Sequence, residues 1–116
     1  MITIDNIKHI VIAWAKTLPY KVRIHLFGSY LKGSKIPSDI DISLAFLESF
    51  SESQRTILWI DNHQYWEKCL SEKFGMKADL QLCENGKNIP KYLESSSLLL
   101  FDSLELEVAY EKHTGQ

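Results

Sequence analysis

Hydrophobic positions recur along the chain with helical spacing in some stretches and with strand spacing in others. Between residues 5 and 17, Ile7, Ile10, Val11 and Trp14 fall at i, i+3, i+4 and i+7, which predicts an amphipathic helix that Pro19 ends. Residues 22–27 (VRIHLF) then alternate, with Val22, Ile24 and Leu26 on one face of a strand that stops at Gly28. Residues 39–45 (DIDISLA) alternate again: Ile40, Ile42 and Leu44 point one way, Asp39, Asp41 and Ser43 the other. Ser51 with Gln54 has the spacing of a capping box and opens a second helix. Trp59, Trp66, Leu70 and Phe74 line its stripe, with Leu58, Tyr65 and Cys69 beside them, and Gly75 suits the position after its last turn. The polar patch DNHQ at 61–64 is a point at which this helix could split.

Residues 77–82 (KADLQL) read as a third strand, with Ala78, Leu80 and Leu82 opposite Asp79 and Gln81. Asn88 before Ile89-Pro90 starts a short helix, SLLLF at 97–101 is a buried apolar run, and LELEVAY at 104–110 alternates like a strand while also fitting a helical face. The order α, β, β, α, β, α gives an α/β (α+β) fold with a small mixed sheet and helices packed mainly on one face. The connection between the first two strands is too short for a helical crossover, so they are not expected to run parallel.

The 116 residues fit a single domain over 1–116 with its own core. Hydrophobic residues at 45% and charged residues at 24% place it among globular chains. A formal net charge of −2 argues against a nucleic-acid or membrane-surface protein, both of which want a basic excess. No apolar run approaches a membrane span, and the opening MITIDNIKHI lacks the pattern of a signal peptide, so a cytoplasmic location is expected. Cys69 and Cys83 form no CxxC and read as reduced thiols; the four histidines show no ligand spacing.

The candidate chemistry is carboxylate chemistry. Asp39 and Asp41, two apart on a strand, leave the same face, and Asp79 lies on the polar face of another. If those strands are neighbours, three carboxylates converge. Two like charges about 4 Å apart repel by roughly 4 kcal/mol at an effective dielectric near 20. Either one aspartate keeps its proton, or a divalent cation sits among them. Mg²⁺ favours hard oxygen ligands with positions left open for water and phosphate.

Beside this lies a Gly-Ser turn. Gly28 follows a strand directly and lets a phosphate approach the backbone, while Ser29 can open a helical turn with free N–H groups. Gly33 permits a second bend, and Lys32 and Lys35 could neutralise phosphate or simply be solvated. The loop has neither P-loop nor GxGxxG spacing.

Taken together, a strand ending FGS, Gly33, SDIDI on the next strand and Asp79 in KADLQL resemble the nucleotidyltransferase superfamily of DNA polymerase β type, and within it the minimal nucleotidyltransferase (MNT) domains. The resemblance covers about residues 5–102. It implies that Gly28 and Ser29 hold the nucleotide phosphates, that Asp39 and Asp41 bind Mg²⁺, and that Asp79 completes the metal site and helps deprotonate the acceptor. The implied reaction is attack of an acceptor oxygen on the α-phosphate of a nucleoside triphosphate such as ATP, with release of pyrophosphate. Larger members add an acceptor domain, for which this length leaves no room, so the resemblance also implies a partner: a HEPN-type helical toxin, with this chain as the antitoxin that transfers AMP to a toxin tyrosine. Other readings are an antitoxin that neutralises by complex formation without catalysis, and a small-molecule nucleotidyltransferase acting as an oligomer; LELEVAY is a candidate partner or dimer contact. Two features differ from the family pattern. The gap from Ser29 to Asp39 is one residue shorter than usual, and Tyr30, able to stack on a base or to pack, stands where many members carry Arg.

Overall fold

The computed structural model describes residues 2–28, 30, 31, 33, 39–83 and 97–104. Helix α1 spans Ile4–Ala15 and starts at Thr3, whose hydroxyl accepts from the Asn6 N–H at 3.1 Å. It buries Ile7, Val11, Trp14 and Ala15, the face set by the helical spacing of its apolar residues. Strand β1 (Val22–Phe27) leads into the Gly28 turn, and β2 (Ile40–Phe46) leads back.

Helix α2 runs unbroken from Glu52 to Phe74. Both halves of the capping box at its start are made: the Gln54 N–H donates to Ser51 Oγ at 3.2 Å, and the Ser51 N–H donates to Gln54 Oε1 at 2.9 Å. The DNHQ patch does not split it, because its side chains bond back into the helix. Asn62 Nδ2 donates to the Leu58 carbonyl, and the His63 ring lies 2.8 Å from the Trp59 carbonyl and stacks on the Trp59 ring. The helix closes on Gly75 in the left-handed region at φ 73°, where the N–H donates to the Ser71 carbonyl. Tyr65 is not part of the buried stripe: it is 67% exposed, while Trp66, Leu70 and Phe74 are buried.

Strand β3 (Ala78–Leu82) follows after Met76 and Lys77, and β4 covers Ser97–Asp102. The apolar run SLLLF is therefore a strand, one that the alternation rule did not assign. Its pairing with β1 shifts register between Ile24 and His25, and that irregularity breaks the period-two pattern. The expected short helix after Asn88 and most of LELEVAY lie outside the described residues.

The strands form one sheet in the order β3-β2-β1-β4. β1 is antiparallel to both β2 and β4, and β2 is parallel to β3 with α2 as the crossover between them. The sheet is mixed, as expected. Val22, Ile24, Leu26, Ile40, Ile42 and Leu44 are fully buried on one face, in one core with Ile7, Val11 and Trp14 of α1 and Trp66, Leu70 and Phe74 of α2. Trp14 meets Trp66 edge-on at 6.0 Å between ring centroids. Among the described residues no helix is long and apolar enough to cross a membrane.

Losing the cap should register in stability. Ser51→Ala, which leaves the first amides of α2 without their acceptor, is expected to cost about 1 kcal/mol in urea denaturation with an unchanged m-value.

Candidate active site

The antiparallel register of β1 and β2 sets Phe27 opposite Asp41, and the parallel register of β2 and β3 sets Asp41 opposite Asp79. Two of the three predicted carboxylates are thus lateral neighbours on adjacent strands, on the face away from the helices. Asp39 stands at the mouth of β2, immediately before Ile40. All three are half-buried. The polar positions of the period-two pattern account for this arrangement, since burying Ile40, Ile42, Ala78 and Leu80 on the helix side forces the aspartates to the other side.

Gly28 is bound into the same cluster. Its φ is +80°, a conformation that costs side-chain-bearing residues free energy. A Cβ built on it would also lie 2.2 Å from Asp41 Oδ2 and 3.0 Å from Asp41 Cγ. The backbone of the turn therefore packs against the carboxyl of Asp41, which any larger residue would have to displace. Of the other residues singled out in the sequence, Gly33 is in a turn with φ +77°, its N–H donating to the Tyr30 carbonyl at 3.2 Å. Ser29, Lys32 and Lys35 lie outside the described residues.

Tyr30 packs rather than reaching for a base. It is a buried member of the core, and its hydroxyl donates to the Ile2 carbonyl, tying the turn after β1 to the segment that opens α1.

The Asp41 carboxyl is raised above its usual range. Burial is the main cause, the charges of Asp79 and then Asp39 follow, and a carboxyl–carboxyl hydrogen bond with Asp79 adds to them. The direction of the shift follows the first of the two ways of relieving like-charge repulsion, in which one carboxyl favours its protonated form. Among the described residues no three His, Cys, Asp or Glu side chains are gathered closely enough to cage a metal ion as they stand. The donor set nonetheless fits Mg²⁺, which is usually bound through one or two carboxylates plus waters and substrate phosphates rather than in an all-protein cage.

Behind the carboxylates, on the same face, His25 is paired in register with Ser43, and Ser43 with Gln81. The His25 imidazole is held below its usual value by burial and then by the Arg23 charge, against the opposing pull of Asp102. Arg23 Nε and Asp102 Oδ2 form a 2.9 Å ion pair that joins β1 to β4. The buried Ser43 hydroxyl has no hydrogen-bond partner among the described residues. An apolar groove of about 320 Å³ lined by Tyr20, Phe50, Gln54, Ile57 and Leu58 lies at the opposite end of β1 and β2 and contains none of the aspartates.

The candidate site is thus a glycine turn beside a strand carboxylate, with a second carboxylate in register next to it. The profile of the nucleotidyltransferase domain family matches residues 7–99, and the chain belongs to that family. Solved structures share the fold. A toxin–antitoxin with AMP-PNP is 18% identical over 93% of this chain and 90% of its own, with a TM-score of 0.56. An MntA-HpeT toxin–antitoxin mutant with two aspartates replaced by glutamate is 17% identical over 95% and 90%, at 0.57. A complex of the tri-AMPylated Shewanella oneidensis HEPN toxin with MNT antitoxin is 18% identical over 94% and 86%, at 0.52. No curated protein sequence matches the chain.

Two outcomes follow from the geometry. Gly75 has φ +73° and open space around it, so Gly75→Ala is expected to cost only the backbone term, about 1–2 kcal/mol. Gly28→Ala must also push Asp41 aside, and chemical denaturation should show it as the more destabilising of the two.

The second outcome concerns pH. With its folded value raised above the ordinary 3.8, Asp41 binds more proton in the folded state than in the unfolded one. Its contribution to stability is therefore most favourable below 3.8 and is lost as pH rises through the raised value. In urea titrations with EDTA, Asp41→Asn should gain stability relative to wild type as pH rises through that window, and the difference should level off above it.

Proposed function

We propose that this chain is a Mg²⁺-dependent nucleotidyltransferase that transfers AMP from ATP to a tyrosine hydroxyl of a HEPN-type helical toxin, acting in the cytoplasm as its antitoxin. The observation that carries the chemistry is the contact of the Gly28 turn with Asp41, itself in register with Asp79. It brings the backbone of a glycine turn and an acidic pair into one unit. The choice of acceptor rests on the fold neighbours, one of which is a toxin–antitoxin with AMP-PNP and another a tri-AMPylated HEPN toxin with its MNT antitoxin.

In this reading Gly28 and Ser29 present backbone N–H groups and a hydroxyl to the triphosphate, and Lys32 and Lys35 balance its charge. Asp39, Asp41 and Asp79 are the residues that would hold Mg²⁺, which when bound neutralises phosphate charge and polarises the α-phosphate. The tyrosine oxygen forms a bond to the α-phosphorus while the bond to the bridging oxygen breaks, and pyrophosphate leaves with that electron pair. The phenolic proton passes to the carboxylate of Asp79, the acidic residue set farthest along the sheet from the Gly28 turn. The register that sets Asp41 opposite Asp79 supports this division of roles.

One observation favours a second reading, a non-catalytic antitoxin that neutralises by complex formation. Tyr30 is committed to the core, so the position where many relatives carry Arg supplies no cation here.

Incubation with ATP, Mg²⁺ and the HEPN-type partner, followed by intact-mass spectrometry, separates the two readings. Transfer predicts an AMP adduct on a toxin tyrosine, with Asp79→Asn slowing its formation by about 10²–10⁴-fold and Asp41→Ala abolishing it. A stable, non-toxic complex without an adduct would discard the enzymatic reading in favour of the second.

A further inference from the structure

Among the described residues β3 is an edge strand, with β2 on one side only. The outward amides of Ala78 and Leu80 pair with no described strand, and a free edge of this kind ordinarily faces solvent or invites another chain. Here side chains of α2 take them. The Ala78 N–H donates to Ser71 Oγ at 2.9 Å, and the Leu80 N–H donates to Glu67 Oε2 at 3.0 Å. The two acceptors are spaced i, i+4 on the helix, a rise of about 6 Å. The two donors are spaced i, i+2 on the strand, a rise of about 6.6 Å. The near match lets both rungs close at once. Asp79 is the residue between them, and its side chain leaves the opposite face toward Asp41.

We propose that Glu67 and Ser71 are positioning residues for Asp79: a two-rung clamp that fixes the edge strand in its plane, and through it the distance from the Asp79 carboxyl to Asp41 and to the reacting groups. The inference rests on the role given to Asp79 above. Ser71 does a second task with its backbone, since its carbonyl accepts from Gly75 at the end of α2. The helix terminus, the short Met76-Lys77 connection and the first rung of the clamp are therefore locked by one residue. Below that lock, the Ile40 N–H donates to the Lys77 carbonyl at 2.9 Å, so the entry of β2 beside Asp39 is registered against the same connection. The turn that grips phosphate is carried by β1 instead, on the far side of β2. The clamp is thus expected to act on the transfer step and to leave nucleotide capture alone.

The test compares Glu67→Leu, Glu67→Gln and Ser71→Ala with wild type in AMP transfer to the HEPN-type partner, each variant measured well below its own Tm. A misplaced catalytic group costs up to about 10²-fold, so Glu67→Leu and Ser71→Ala should lower kcat by about 10–10²-fold with KM for ATP little changed. Glu67→Gln, which keeps an acceptor oxygen, should restore most of kcat. Amide exchange over residues 78–80 should quicken in the first two variants and not in Glu67→Gln. Wild-type kcat in Glu67→Leu and Ser71→Ala overturns the proposal. So does a loss that Glu67→Gln shares in full, or one that appears in KM instead of kcat, since either marks a role in general stability alone. If wild type transfers no AMP, the function reading above fails first, and the clamp is judged on Mn²⁺ binding in the presence of AMP-PNP. Weaker Mn²⁺ binding in Glu67→Leu supports it, whereas unchanged binding, or none in wild type, overturns it too.

Discussion

The contact between the Gly28 backbone and the Asp41 carboxyl is the constraint on which the rest of the site depends. Antiparallel pairing brings the end of β1 over the start of β2, and the residue that turns the chain there must give up its side chain to clear Asp41 Oδ2. The turn that carries Gly28 and the strand that carries Asp41 are thereby packed against each other. The Gly28 backbone and the Asp41 carboxyl, to which the proposed function gives the phosphate and the cation, thus sit side by side. The parallel pairing of β2 with β3 then adds Asp79 without any further loop.

This arrangement works against the stability of the protein. Asp41 is partly desolvated among two other acids, and it meets that by holding a proton above its ordinary range. The core on the other face of the sheet offsets the cost. Ile40, Ile42 and Leu44 of the strand that carries Asp41 are fully buried against α1 and α2, so its apolar face anchors what its polar face strains. Secondary contacts tighten the frame at each side: Tyr30 bonds to the Ile2 carbonyl below the turn, Arg23 pairs with Asp102 between β1 and β4, and Glu67 and Ser71 hold the β3 edge.

Much of this was legible in the sequence where a local rule governs it. Period-two alternation located β1, β2 and β3 and placed Asp41 and Asp79 on the polar face, because one face of each strand is buried. The Ser51–Gln54 box and Gly75 marked the ends of α2 because caps are local chemistry. What sequence reasoning missed depends on pairings across the fold. β4 was read only as an apolar run, since its register irregularity with β1 erases the alternation. Spacing sets Tyr65 beside the buried stripe but cannot say how wide the covered face is, and Tyr65 is exposed. Glu67 and Ser71 carried one faint signal, an i, i+4 pair of acceptors just before a strand, but nothing local says that the strand is an edge. Arg23 and Asp102 lie 79 positions apart, and only the β1–β4 register brings them together.

The central claim is that nucleotide binds where the Gly28 turn meets the acidic pair. Amide chemical-shift mapping with AMP-PNP and Mg²⁺ tests it most directly. The account predicts that the largest changes fall on Gly28, Asp41 and Asp79, that they require the divalent ion, and that Asp41→Asn abolishes them. Shifts centred on Tyr20, Phe50 and Ile57 in the apolar groove, with Gly28 and Asp41 unmoved, would contradict it.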